Sequence, residues 1–381
     1  MSVIRPRLPE DPILHEAVDP DGQPWGSGDA ASRLEAIRAE ILANPAAVDL
    51  PRRLLAEYGT RRPESRLFAI LAEARRIRDA VDRLVIVASG GIGPATRLLV
   101  ASCCHPFHNE LPRGERGGRP RLTWLDSTPD NDRIQGLLDL VAPEGRPRSR
   151  DLLDQWALLA VEAAPDDQAT LATARMLAAA LEKTTADEGS VVPHRIVAVA
   201  RAESPLAEWA GALGCPVRFQ NEPEMDAAQG VFTAASLLPA AIAGINVVRL
   251  LEGASAMLVR FTEAPVALNP ALVDAACRDR VLREAGIAGS VFDGGGPALS
   301  DLSAWVRHVR QVPLGAATVV TRVTIGESRR ACFERPPMAV VPEPKGTISI
   351  QLPRLDEHAL GQLLQLVILS AAVEQRLRES V

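Results

Sequence analysis

Four short apolar runs set the rhythm of the chain: residues 83–88 (R-L-V-I-V-A), 121–125 (R-L-T-W-L), 156–161 (W-A-L-L-A-V) and 195–200 (R-I-V-A-V-A). Each leads into a turn, and then into a stretch whose apolar residues recur three and four apart. Such runs read as strands buried on both faces, and the stretches between them as the helices that cover them. Helices are predicted over 94–103, from 132, over 166–183 and over 205–213, with a short strand over 217–219. This alternation predicts an α/β fold with a parallel sheet. Ahead of it, 31–42 and 65–80 carry amphipathic helical spacing. Beyond it, 229–248 holds no charged residue and reads as one buried helix; Thr233, Ser236, Pro239, Gly244 and Asn246 argue against a membrane span. After residue 270 the expected strands are 289–292, 318–325 and 347–351, and the expected helices 300–309 and 355–379. The period-two pattern of 318–324 predicts a half-exposed antiparallel strand. Ligands of such sheets sit where strand carboxyl ends meet helix N-termini, here the turns after Ala88, Asp126, Val161 and Ala200.

Composition narrows the chemistry. The 381 residues suffice for more than one domain, and 47% hydrophobic with 24% charged residues is a globular balance. A net charge of −6 argues against nucleic-acid binding through a general basic field. Lys183 and Lys345 are the only lysines and Tyr58 the only tyrosine, so lysine and tyrosine chemistry have almost no candidates. Cysteines 103, 104, 215, 277 and 332 have no framework spacing, and the first dozen residues lack the apolar core of a secretory signal. Both predict reduced thiols in a cytoplasmic setting. No cofactor is expected.

Three segments, in order, resemble phosphoglucose isomerase. V-I-V-A-S-G-G-I-G-P-A-T-R-L-L (85–99) is similar to that family's glycine loop between a strand and a helix. G-V-F-T-A-A-S-L-L-P-A-A-I-A-G-I-N-V-V-R-L-L-E-G-A (230–254) is similar to its signature helix and the L-L-x-G-A turn that follows. I-S-I-Q-L-P-R-L-D-E-H-A-L-G-Q-L-L-Q-L (348–366) is similar to its last strand and L-G-x-L-I helix. The resemblance spans about residues 65 to 375 and implies two doubly wound parallel-sheet subdomains of the sugar-isomerase type, with helices on both faces. The implied division is an N-terminal extension 1–62, subdomains 63–190 and 191–352, and a C-terminal helix 353–381. The implied reaction is aldose–ketose isomerisation, glucose 6-phosphate to fructose 6-phosphate, through an enediolate. A carboxylate moves the proton, cations steady the oxyanion, and a hydroxyl-rich loop holds the phosphate. A homodimer, a sugar or sugar-phosphate ligand, and neither nucleic acid nor membrane as partner complete the expectation.

The site motifs depart from that pattern. The family's phosphate loop, S-K-S-G-T-T-x-E-T, is matched by Glu162-Ala163-Ala164-Pro165-Asp166-Asp167-Gln168-Ala169-Thr170, in which three carboxylates replace lysine and hydroxyls. Asp166 and Asp167 are expected to cap the next helix and keep phosphate out, since a carboxylate satisfies the same free N–H groups. In the glycine loop, Ser89, Gly90 and Gly91 are the matching positions, and Ile92 stands where the family has its phosphate-contacting serine. The family's G-G-R arginine aligns with Ala228, beside Gln229 and Gly230, and its catalytic glutamate with Val312. The remaining acid–base candidates are Glu203, Glu222 and Glu224 as base, and His308 or Arg307 as cation. A non-catalytic paralogue, acting as a binding, regulatory or assembly subunit, is the second reading. Cys103-Cys104-His105-Pro106-Phe107-His108 lacks a second half for zinc, and Asp126, Asp130 and Asp132 read as turn and capping residues, so no metal is expected.

Overall fold

From the N-terminus, a short strand β1 (Leu14–Glu16) and helices α1 (Asp29–Ala43) and α2 (Leu50–Thr60) precede the first apolar run. The computed structural model describes residues 14–16, 29–126, 130–145, 149–164, 167–184, 191–221, 227–285, 289–294, 296–313, 318–327 and 348–379. The chain divides into two units, residues 53–247 and residues 1–52 with 248–381.

In the first of these, the apolar runs form neighbouring strands. The sheet comprises β2 (Arg83–Ala88), β3 (Arg121–Leu125), β4 (Trp156–Val161), β5 (Ile196–Ala200) and β6 (Arg218–Gln220), all parallel, in the order β3-β2-β4-β5-β6. β4 and β5 are buried along their whole length, as expected of strands covered on both faces. Val85, Val87, Leu125, Trp156, Leu158, Ala160, Ile196 and Ala198 point into one core, shared with α5 (Asn131–Val141), α6 (Gln168–Thr184) and α7 (Pro205–Ala212). Leu84, Ile86, Leu159, Val197 and Val199, of opposite parity, are buried as well. α4 (Ile92–Cys103) contacts β2, α8 (Ala234–Ile242) packs on α4, and α3 (Arg66–Ala80) packs on α8. At the amino ends of β2 and β3, the buried Asp82 carboxylate accepts from Arg113, Arg116 and Arg121. Those bonds and the Asn109–Leu122 pair fasten the long 104–120 connection to the sheet.

The expected single helix over 229–248 is instead a 3-10 turn (Ala227–Phe232), α8 and the start of α9 (Val247–Glu263). The break falls at Gly244, which has φ +86; a Cβ there would strike the Arg119 side chain. The division also differs from the one expected. Residues 190 and 191 fall between β4 and β5, which pair directly in a single sheet.

In the other unit, β7 (Gly289–Asp293), β8 (Thr318–Glu327) and β9 (Ile348–Arg354) are parallel, and β1 pairs antiparallel with β9. The alternation of β8 therefore reports one-sided burial within a parallel strand: Thr321 and Val323 are buried, while Val320, Arg322 and Thr324 are exposed. Helices α10 (Pro270–Ala285), α11 (Leu302–Val309) and α12 (Glu357–Glu379) complete the unit, and α1 and α10 pack on α12. α1 from the expected N-terminal extension and α12 from the expected C-terminal helix thus lie within this unit. Arg33 donates to Leu377 O at 3.0 Å, and Gln365 to Val48 O at 2.7 Å. Buried Asp274 receives Arg278 (2.8 and 2.7 Å) and Arg310 (3.2 Å), and the Phe292 ring lies under both guanidiniums at 4.5 and 5.2 Å. Among the described residues, no helix is long and apolar enough to cross a membrane.

α9 and α12 approach to backbone contact. A Cβ on Gly253 would meet the carbonyl of His358, and one on Gly361 the carbonyl of Leu250. Gly361→Ala is therefore expected to cost about 2–3 kcal/mol, because backbone has to move to admit the methyl group. Urea unfolding checks this; a loss below about 0.5 kcal/mol, the range of ordinary surface changes, would contradict the close approach.

Candidate functional site

β2 and β4 are neighbours in the sheet but not in the chain, and the strand order reverses between them; that is where α/β sheets open a crevice at their carboxyl ends. Ala88 pairs with Val161, so the turn after β2 lies beside the turn after β4. Gly90, with φ +60, lets the first turn bend sharply, and Gly91 is the cap residue just before α4.

Asp167 joins the two turns. Its Oδ1 accepts the Thr170 N–H at 3.0 Å, and its Oδ2 accepts the hydroxyls of Thr170 (2.7 Å) and Ser89 (2.9 Å). One carboxylate thus gathers a backbone N–H of the first turn of α6 and two hydroxyls, one from across the crevice. Sequence reasoning places two aspartates here and begins the helix at 166. In the structure α6 begins at Gln168, Asp167 makes the capping bonds, and Asp166 lies outside the described residues.

The buried Glu162 is turned another way. Its Oε2 accepts the Arg201 N–H at 2.9 Å, its own N–H donates to Val199 O, and its carbonyl accepts from the Asn221 amide at 2.9 Å. It ties the ends of β4, β5 and β6 together. Sequence reasoning misses Arg201 and Asn221; Asn221, the first polar residue after β6, is the available signal. Ile92 is buried, and a Cβ on Gly230 would strike its side chain, so the position of the family's serine holds an apolar contact.

The acid–base candidates do not gather here. Glu203 is exposed in the turn before Ser204, which caps α7 through the Ala207 N–H at 3.2 Å. His308 is exposed on α11, in the other unit, and Val312 is buried. Glu222 and Glu224 lie outside the described residues, and Gln229 lies in the turn before α8. Burial holds the His108 ring below the usual imidazole pKa, and its Nε2 meets Pro120 O at 3.0 Å. Asp130 caps α5 by accepting the Arg133 N–H at 2.7 Å. Among the described residues, no three His, Cys, Asp or Glu side chains are grouped to hold a metal ion. Burial pushes the Cys215 thiol up to about 11, which keeps it protonated.

Chemically, the crevice offers the donors that would hold an anion, with an anion of its own already on them. A phosphate dianion about 5 Å from Asp167 would meet repulsion on the order of 7 kcal/mol at an effective dielectric of 20.

No family model matches the chain. It is 30% identical over 255 residues to the glucose-6-phosphate isomerase of Rubrobacter xylanophilus, covering 67% of this chain and 55% of that protein. The chain spans about half the length of the curated relatives it matches. Among solved structures, a hypothetical protein from Thermus thermophilus superposes with a TM-score of 0.64 at 20% identity, covering 91% of this chain and 90% of that one. A glucose-6-phosphate isomerase from Chlamydia trachomatis gives 0.57 at 11% identity, covering 91% and 81%. Those two likenesses speak for the fold alone. The chain is thus similar to glucose-6-phosphate isomerases over 255 residues and shares the fold of one, while its crevice loops differ from the pattern that the resemblance implies.

Proposed function

We propose that this chain keeps the sugar-isomerase scaffold of a family that interconverts glucose 6-phosphate and fructose 6-phosphate, with turnover of that substrate strongly attenuated in its own site. The observation that carries this reading is Asp167, bonded to Ser89 Oγ, Thr170 Oγ1 and the Thr170 N–H. These are donors that a sugar phosphate would need. Release of Asp167 into solvent would cost its three hydrogen bonds, so a phosphate has to compete with an intramolecular ligand. Neither the base candidate Glu203 nor the cation candidate His308 supports strong catalysis, since both are exposed and hydrogen-bonded to no residue of the Ser89–Asp167 cluster. The second reading, a non-catalytic binding, regulatory or assembly subunit in a cytoplasmic setting, is favoured by the same carboxylate. It would take a sugar or an amino-bearing ligand in preference to a phosphate ester.

A coupled isomerase assay on the purified protein decides between attenuation and ordinary catalysis. Turnover of glucose 6-phosphate is expected below about 0.1 s⁻¹, against the 1–1000 s⁻¹ typical of enzymes. Ordinary rates would overturn the proposal.

Asp167→Thr removes the internal anion and leaves a hydroxyl. Its affinity for glucose 6-phosphate is expected to rise about tenfold over the parent, equivalent to 1.4 kcal/mol. Adding Ser89→Ala should abolish the gain. A gain indifferent to Ser89, or none at all, would mean that this crevice is not the phosphate subsite.

A homodimer is part of the proposal, on the family resemblance and the prevalence of two-fold assemblies. Light scattering at micromolar concentration is expected to return twice the chain mass; the mass of one chain would refute it.

A further inference from the structure

At the opposite ends of the strands from Asp167, the five-stranded sheet carries an excess of positive charge that the isomerase reading leaves unexplained. Arg83 opens β2 and Arg121 opens β3, and the two are paired directly across the strands. Register partners in a parallel pair project from the same face. Arg83 Nη1 donates to Thr123 Oγ1 at 2.8 Å, two residues beyond Arg121, in keeping with that side. Like charges placed side by side on adjacent strands oppose the pairing.

One carboxylate is set against them. Asp82, 1% exposed, accepts from Arg113, Arg116 and Arg121. With Arg83 beside these three, four guanidiniums share one carboxylate among the described residues, and two of the four are largely withdrawn from water: the side chains of Arg116 and Arg113 are 0% and 17% exposed. Glu110 and Glu115, the acids of the connecting segment, are exposed, and neither pairs with these arginines. Burial, then repulsion from Arg121, lowers the pKa of Arg83, while Asp82 offsets only part of this.

The donor inventory leaves room for a ligand. Arg121 gives Nε to Asn109 O at 2.9 Å and Nη1 to Asp82. Arg83 gives only Nη1, to Thr123. Among the described residues, Nη2 of both side chains and Nε of Arg83 meet no protein acceptor, and the Arg121 side chain is 28% exposed. Water can satisfy such N–H groups but cannot neutralise the charge. Planar forks with free edges match the bidentate geometry of phosphate oxygens.

We propose that Arg83 and Arg121, backed by the Asp82–Arg113–Arg116 cluster, form a binding site for a phosphate-class oxyanion. The occupant supplies the missing counter-charge at the amino edge of β2 and β3. The strand β2, six residues at about 3.3 Å each, holds this site roughly 20 Å from the Ser89–Asp167 crevice, so it does not depend on the proposed function.

Thermal unfolding of the whole chain tests this, with sodium chloride compared with sodium phosphate at equal ionic strength. At phosphate tenfold above its dissociation constant, the midpoint is expected to rise by about 3 °C. Arg83→Gln should abolish the rise, whereas Ser89→Ala should keep it. In chloride, Arg83→Gln should unfold no lower than the parent, because it removes a repelled charge and leaves a donor for Thr123. Glucose 6-phosphate is run as a separate arm, and a rise with either compound that Arg83→Gln removes supports the site and names its occupant. No rise with either, a rise that persists in Arg83→Gln, or a marked loss of stability of that variant in chloride would overturn it.

Discussion

The parallel pairing of β2 with β4 is the constraint on which the candidate site depends. These strands are separated in the chain by β3 and two helices, yet they align over six residues, from Arg83 with Trp156 to Ala88 with Val161. Burial on both faces enforces that register, because a slip of one residue would exchange the side chains of the two cores. With the register fixed, Ser89 and Glu162 follow their strands side by side. The Ser89–Asp167 bond then closes across a gap that sheet geometry has already made short.

The two ends of this sheet solve electrostatic problems of opposite sign. At the carboxyl ends, strand termini and the start of α6 present donors, and Asp167 answers them from within the chain. At the amino ends, Asp82 is the internal anion, and it is outnumbered by guanidiniums. A carboxylate carries one charge and two oxygens, so one residue can saturate a helix start but cannot balance four arginines. The first arrangement is complete within the protein; the second has capacity left over.

The strands are legible because burial on both faces writes itself as uninterrupted apolar runs: 83–88, 121–125 and 156–161 match β2, β3 and β4 to the residue. Breaks set by backbone conformation are harder to see. Gly244 reads as a small residue within a long helix, and only its positive φ, beneath Arg119, makes it a terminus. The alternation of β8 correctly signals one-sided exposure but not the antiparallel pairing expected from it, since period two reports burial and carries no information about direction. The replacement of hydroxyls by carboxylates at 162–167 is visible in the sequence, and so is their placement at a helix start. That Asp167 reaches Ser89, and that Glu162 turns toward Arg201, depends on contacts between segments far apart in the chain.

Gly253 and Gly361 admit each other's backbone where α9 meets α12, and both lie in the segments that most resemble the isomerases. Selection on that crossing acts through steric exclusion, irrespective of what is bound elsewhere. A lineage can exchange every group that touches a substrate and still be held to glycine at these two positions. In this protein, resemblance in the signature segments therefore reports how helices fit, and what is bound has to be read from the loops.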